Sequence, residues 1–357
     1  MTANDRAAPD GLVQAPPCSV TTAPPLPAWS DYLSRHPGAT LFHDARWGSV
    51  MDSAYGNRAY YVTARRADST VGILLLIRQK SLLFGAHLCS LPYFDASGIL
   101  ADDAQAQGAL VAEARRLMQE LGAAWVELRE SAPLGESLPS RTDKVTLHVA
   151  LPADPAQLWG DLDAKVRNQV RKAQREGLTV RSGGTEMLDR FYAIYVRTMR
   201  DLGSPLHSRR FFRLILGHFA QEVRLFVVSS GDRPVAASLV LRDRRKVIVP
   251  WAGSDWRVRF LCANMLLYWT MLEDSCKQGV PCFDFGRSTR DSGTYRFKAQ
   301  WGAREVPLHW HYLLPPGGEV PDLRPDSPKY RLATAVWRRL PVGVARLVGP
   351  CIIGKLS

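Results

Sequence analysis

Phe283-Asp284-Phe285-Gly286-Arg287-Ser288 is the most telling stretch of this chain, together with Arg296-Phe297-Lys298 and Trp301-Gly302 downstream of it. Phe283 and Phe285 alternate with Asp284, so two aromatic rings share an apolar face and a carboxylate takes the other. That is the pattern of a strand, predicted to end at Gly286. Ser288, Thr289, Asp291, Ser292 and Gly293 then form a turn-rich run in which the backbone reverses and presents its amides. Bulky residues resume from Tyr295 to Trp301. A loop of this kind suits an anion or a developing oxyanion.

The same stretch closes a longer series. Residues 223–228 and 235–241 flank Gly231-Asp232 as a hairpin, 246–251 reads as a strand, and 261–277 as a helix stopped by Gly279 and Pro281. The first half has the same order: a hairpin over 60–77, apolar residues at 82–91, a helix over 104–121 stopped by Gly122, and a strand over 124–128. Matching pieces lie about 155–165 residues apart, too far for a solenoid, which points to a duplicated domain. The expected organisation is a Pro-rich disordered leader at 1–26, mixed α/β domains at 27–150 and 151–314, and a linker with a basic amphipathic tail at 315–357.

The 46 Lys and Arg residues exceed the 34 Asp and Glu by 12, and residues 324–357 alone hold seven cations against one Asp. A basic surface favours anionic partners such as RNA, acidic lipid or phosphorylated carriers; its bland alternative is a solvated cationic face. Six scattered cysteines lack the spacing of a secreted disulfide framework and read as reduced core residues. The leader has no signal-peptide core, and no apolar run reaches the roughly 18 residues of a membrane span. The expected location is cytoplasmic, with peripheral contact to the inner membrane through 329–357 as an option.

A helix is predicted between the domains, capped by Asp154, with Pro155 in its first turn and Gly177 past its end. Val166, Val170 and Ala173 make its apolar stripe, while Arg167, Arg171 and Arg175 stack on another face beside Lys165 and Lys172. In the tail, Leu332, Val336 and Leu340 form a stripe with Trp337 beside it. Such a segment either lies in a membrane interface or docks on the protein's own core.

The opening stretch resembles the end of the second domain in the FemAB-like branch of the GNAT acyltransferase superfamily, where a Gly-rich strand end precedes Phe-Lys and an aromatic-Gly pair. Here these are Phe297-Lys298 and Trp301-Gly302. Three further blocks resemble the FemAB-like proteins of exosortase and PEP-CTERM systems. They are Val166-Arg167-Asn168-Gln169-Val170-Arg171-Lys172-Ala173, Thr198-Met199-Arg200-Asp201-Leu202-Gly203-Ser204-Pro205, and the tail over 330–350. The resemblance implies tandem GNAT-like domains and an acyl or aminoacyl transferase acting on a cell-envelope or exopolysaccharide precursor. It also implies that Lys298 serves the reacting carbonyl or the carrier's phosphates.

Acyl transfer needs a held donor, a route for the acceptor proton and hydrogen-bond donors for the oxyanion. Asp284 is suited to receive a proton or orient Arg287, Arg287 to clamp a phosphate or carboxylate, and Tyr295 to supply a hydroxyl. Arg167, Arg171, Lys172, Ser288 and Trp301 are the expected substrate contacts. The alternative for Asp284 is a salt bridge with Arg287 or Lys298 that holds the strand end. The Gln/Arg-x-x-Gly-x-Gly/Ala loop that wraps a CoA pyrophosphate is missing from 249–264. That absence weakens acetyl-CoA and leaves aminoacyl-tRNA or another acyl carrier as donor, with no permanently bound cofactor. Two other readings stay open: an acetyl-CoA-dependent N-acetyltransferase, and a noncatalytic scaffold recruiting through its basic tail. No Gly-x-Ser-x-Gly elbow occurs, and no metal site is expected because nothing completes the pair His309 and His311.

Overall fold

The computed structural model describes residues 18–24, 27–81, 85–135, 138–321 and 328–355. Most of the expected leader lies outside these residues. Its final segment differs from the expectation, because Ser19–Thr22 forms an edge strand against residues 62–65.

In chain order the strands are β1 (Ser19–Thr22), β2 (Ala59–Arg66), β3 (Ser69–Ser81), β4 (Gly85–Cys89), β5 (Leu100–Ala101), β6 (Val126–Glu130), β7 (Ser140–Arg141), β8 (Lys144–Ala150), β9 (Thr179–Gly183), β10 (Val223–Ser230), β11 (Arg233–Arg242), β12 (Val247–Ser254), β13 (Cys282–Thr289), β14 (Arg304–Pro307) and β15 (His309–Leu313). The helices are α1 (Pro27–Arg35), α2 (Arg46–Tyr55), α3 (Ala104–Glu120), α4 (Pro155–Asp161), α5 (Ala164–Arg175), α6 (Leu188–Leu202), α7 (Arg209–His218), α8 (Ala263–Lys277), α9 (Gly293–Ala299), α10 (Pro328–Arg339) and α11 (Val342–Ile353).

The duplication is visible in the topology. One sheet runs β1-β2-β3-β4-β6-β15-β7 with β5 on β3, and the other runs β14-β8-β13-β12-β11-β10-β9. Each contains an antiparallel hairpin, β2–β3 or β10–β11, and a parallel pair, β4–β6 or β12–β13. Each parallel pair is joined through a helix, α3 or α8, because parallel neighbours need a long crossover. The chain is therefore a tandem of GNAT-like mixed α/β units.

The domain boundary differs from the expected cut after residue 150. β8 precedes that cut yet pairs with β13 in the second sheet, while β15 follows the second unit and pairs with β6 in the first. Packing explains the exchange: Val145, Leu147 and Val149 of β8 share a core with Phe283 and Phe285, and Leu313 of β15 packs with the first sheet's core. A third apolar core joins the halves. There Trp47 of α2 stacks on Phe219 at 4.3 Å and Phe94 meets Trp251 edge-on at 5.6 Å. Each such pair contributes about 0.5–1.5 kcal/mol beyond its buried area, and residues of both halves share this core.

The single helix expected before Gly177 is two. Leu162 is extended and Asp163 caps a new start, its carboxylate accepting from Lys165 N. Asp154 caps α4 as expected, and Gly177 has φ +70°. The tail helices dock on α6, with Trp337 and Ala345 buried.

Candidate functional site

The site begins where paired bulges split β12 from β13. These parallel strands pair through Val247↔Phe283 and Ile248↔Asp284, and among the described residues no further pair follows. At that level β12 carries an extra residue opposite β11, between Ile248 and Trp251, and β13 carries one opposite β8, between Asp284 and Arg287. Bulges bend and twist the strand that holds them. Pro250, which has no N–H to give, sits in the first, where a missing ladder donor is tolerated. Gly286 sits in the second with φ +74°, so β13 does not end there but runs through to Thr289.

A Cβ on Gly286 would lie 2.6 Å from the Val249 carbonyl oxygen. Gly286→Ala is expected to lower the unfolding free energy by about 1–3 kcal/mol; an unchanged urea midpoint would show that the bulge tolerates a side chain.

Lys298 fills the split. Ser292 caps α9 through its hydroxyl, and the short helix carries Lys298 back against β13. Its ammonium donates to the carbonyls of Gly286 at 2.7 Å and Arg287 at 2.9 Å, both past the last pair with β12. The side chain is buried, and burial lowers its pKa to about 8 against the opposing pull of Asp284 and Asp95. Lys298 also borders two cavities. One, of about 170 Å³, lies between the halves and is lined by Asp95, His148, Lys246, Asp284 and Arg287 among others. The other, of about 640 Å³, is bounded by Ala252, Ser254, Trp256, Tyr268 and Phe297.

Asp284 faces the smaller cavity. Its carboxylate accepts from the Thr146 hydroxyl and, at 2.8 Å, from Gly286 N. His148 Nε2 is 3.1 Å away and Lys246 Nζ 3.6 Å. Burial by itself raises the Asp284 pKa, but the His148 hydrogen bond and the Lys246 charge outweigh it and bring it to about 2. Burial likewise works against a charged His148, and its contacts with Asp284 and Cys282 raise it to about 9. The pair is therefore ionised across the neutral range. This Asp284 salt bridge runs to His148 and Lys246, not to the partners expected for it, Arg287 or Lys298.

Arg287 instead pairs with Asp95 at 3.2 Å, its guanidinium 5.0 Å over the Trp310 ring. The first half holds that partner in place. Buried Arg129 donates to the Phe94 carbonyl at 2.8 Å and to Glu127 at 2.7 Å, and the Tyr312 hydroxyl donates to Glu127 at 2.9 Å. Thus the first unit contributes to the cavity through the loop that carries Phe94 and Asp95.

The remaining predicted residues lie elsewhere. Tyr295 donates its hydroxyl to Glu305 at 3.1 Å, beside Arg290, and borders neither cavity. Trp301 is buried in the core with Tyr268 and Phe297, and Ser288 is buried within β13. Arg167 donates to the carbonyls of Gly160 and Leu162 and so closes the end of α4, while Arg171 stands 5.5 Å over Trp159. Lys172 lies on the same helix. None of these three borders the cavities: Asp163 starts a new helix whose Arg167 and Arg171 turn to α4. His311 accepts from Leu134 N at 3.2 Å. Sequence reasoning missed Asp95, Thr146, His148 and Lys246. The alternation Val145, Leu147, Val149 against Thr146 and His148 is a readable signal for two of them.

Residues 162–299 match the family model of the GNAT acetyltransferase domain. No curated protein matches the chain. Among solved structures it is similar to FemX, at 14% identity and a TM-score of 0.61, covering 80% of this chain and 95% of that one. It is also similar to the C-terminal domain of a protein named as a lysylphosphatidylglycerol synthetase from Agrobacterium fabrum, at 11% and 0.56, covering 82% and 92%. A third is L-PGS from Bacillus licheniformis, at 11% and 0.51, covering 93% and 98%. The chain thus carries a GNAT-type acyltransferase domain, built over β12, β13 and α8.

Proposed function

We propose that the protein transfers an aminoacyl or other acyl group from a donor in the larger cavity to an acceptor amine or hydroxyl in the smaller one. The observation that carries this reading is Lys298, which lines both cavities where β12 and β13 separate. The acceptor attacks the donor's carbonyl carbon, the ester or thioester bond breaks, and the acceptor's proton leaves with the departing group or solvent. Lys298 stands where a cation offsets charge growing on the carbonyl oxygen. Asp284, ionised and bound to His148, orients the acceptor side rather than taking up its proton at neutral pH.

The cations around the smaller cavity, His148, Lys246 and Arg287, suit an acceptor bearing phosphate or carboxylate groups. The FemX and L-PGS likenesses and the missing CoA loop support aminoacyl-tRNA as donor, with no permanently bound cofactor. The four-block resemblance supports a cell-envelope or exopolysaccharide precursor in an exosortase/PEP-CTERM-linked pathway. Acetyl-CoA is the second reading, favoured by the acetyltransferase domain match over 162–299.

The test supplies charged tRNA or acetyl-CoA with nucleotide-linked amino-sugar acceptors and follows acceptor mass. An aminoacyl increment supports the first reading and an acetyl increment the second. No increment with either donor counts against both.

A further inference from the structure

The tail has a surface that the reaction does not use. α11 docks through one side only, on α6 and on the segment that follows it: Ala345 is buried, and a Cβ on Gly349 would lie 2.7 Å from Leu206. Its end is tied down, since the Tyr93 hydroxyl donates to the Ile353 carbonyl and Asn57 Nδ2 to that of Gly354, each at 2.9 Å. The opposite side is bare. Val344, Leu347 and Val348 are 42%, 78% and 39% exposed, and Cys351 is exposed one turn later. Spacings of three and four residues place all four on one stripe. An ordinary water-facing helix is polar there.

A second observation lies beside that stripe. Cys351 and Lys355 line a groove of about 670 Å³ whose other walls include Arg58, Arg78 and Lys80. No carboxylate is among its described lining residues, and none of the four cations is in an ion pair among the described residues. Arg78 donates to the Leu121 carbonyl at 2.8 Å, and Arg58 stands 5.2 Å over Tyr60. These contacts hold the cations without neutralising them. Arg338, Arg339 and Arg346 add charge on the same hairpin, and residues 328–355 contain no Asp or Glu. Four like charges converging on one groove await an anion.

We propose that this face docks on an anionic phospholipid bilayer, with the stripe Val344, Leu347, Val348 and Cys351 entering the interface and lipid phosphates entering the groove of Arg58, Arg78, Lys80 and Lys355. The helix length fits. α11 has 12 residues, about 18 Å at 1.5 Å each, against a hydrocarbon core of about 30 Å, so it lies in the plane of the surface. Among the described residues no helix is long and apolar enough to cross a membrane. Apolar insertion and headgroup attraction act together in such binding. The hairpin also reaches the larger cavity, which Arg338 borders.

The experiment is vesicle flotation of the full chain with phosphatidylcholine alone and with phosphatidylcholine/phosphatidylglycerol mixtures. Binding is expected to the mixture and about tenfold weaker to the neutral vesicles. Leu347→Asp with Val348→Asp, and separately Lys80→Glu with Lys355→Glu, are each expected to weaken binding about tenfold at an unchanged thermal transition. Inorganic phosphate at equal phosphate concentration is expected not to compete. Failure to float with either vesicle, or flotation that both double variants leave intact, overturns the proposal. So does competition by inorganic phosphate, which would make the groove a free-anion site. A concentration-dependent dimer that Leu347→Asp dissociates, without vesicle binding, would assign the stripe to a second copy and overturn it as well.

Discussion

Lys298→Met is expected to slow acyl transfer about a hundred- to a thousandfold, the loss typical of removing one donor to a developing oxyanion. Methionine keeps much of the side chain's length and apolar packing but supplies no charge. A structural cost accompanies it, because the carbonyls of Gly286 and Arg287 lose their shared donor. A buried acceptor left unpaired costs about 1–3 kcal/mol. Rates are therefore compared on protein shown by its thermal transition to be folded at the assay temperature. Near-normal transfer by folded Lys298→Met would remove the ammonium from the reaction and leave it as a clamp on the separated strand.

Asp284→Ala is expected to be the most destabilising single change in the site, by about 3–5 kcal/mol, because it strands the charges of His148 and Lys246 around a cavity wall. The His148–Asp284 pair also sets a pH dependence. Asp284 has its pKa depressed from 3.8 to about 2, so its contribution is present above 3.8 and is lost as pH falls through 2. His148 has its pKa raised from 6.5 to about 9, so its contribution is complete below 6.5 and is lost as pH rises through 9. Both act fully between about pH 4 and 6.5. Lys298, depressed from 10.5 to about 8, works oppositely above pH 8. Glu130, which burial raises from 4.5 to about 7, adds its own decline through pH 7, so the His148 contribution is read between pH 6.5 and 8 as the difference between the wild type and His148→Gln. Unfolding free energies from urea titrations are expected to decline more steeply across that window in the wild type than in His148→Gln. Equal declines in the two proteins would assign the dependence to another group.

What could be read before the structure follows from the range of the forces involved. Local alternation and stop residues are local physics, and they located the hairpins β2–β3 and β10–β11, the helices α3 and α8, and the strand bearing Phe283, Asp284 and Phe285. Lys298 was singled out by the Phe297-Lys298 resemblance alone, and the fold places it where β12 and β13 separate, its ammonium on the carbonyls of Gly286 and Arg287. Partners across a sheet are another matter. His148 lies 136 residues from Asp284 and meets it only because β8 crosses into the second sheet; nothing in the composition near residue 148 announces that crossing. The same exchange moved the unit boundary. The arginine face of α5 illustrates a different limit: Arg167, Arg171 and Arg175 recur at helical spacing as expected, but Asp163 restarts the helix and Arg167 is consumed by carbonyls at the end of α4. Tyr295 was placed near Lys298 by sequence distance alone, while the turn of α9 sends its hydroxyl to Glu305.

The decisive measurement for Lys298 is the pH dependence of transfer by wild type and Lys298→Arg, with whichever donor supports the reaction. If the ammonium of Lys298 faces the reacting carbonyl, the wild-type rate falls as pH rises through about 8, where burial sets its pKa, and that limb moves beyond the accessible range in the arginine variant, whose guanidinium stays charged. An alkaline limb at the same pH in both proteins would take Lys298 out of the reaction.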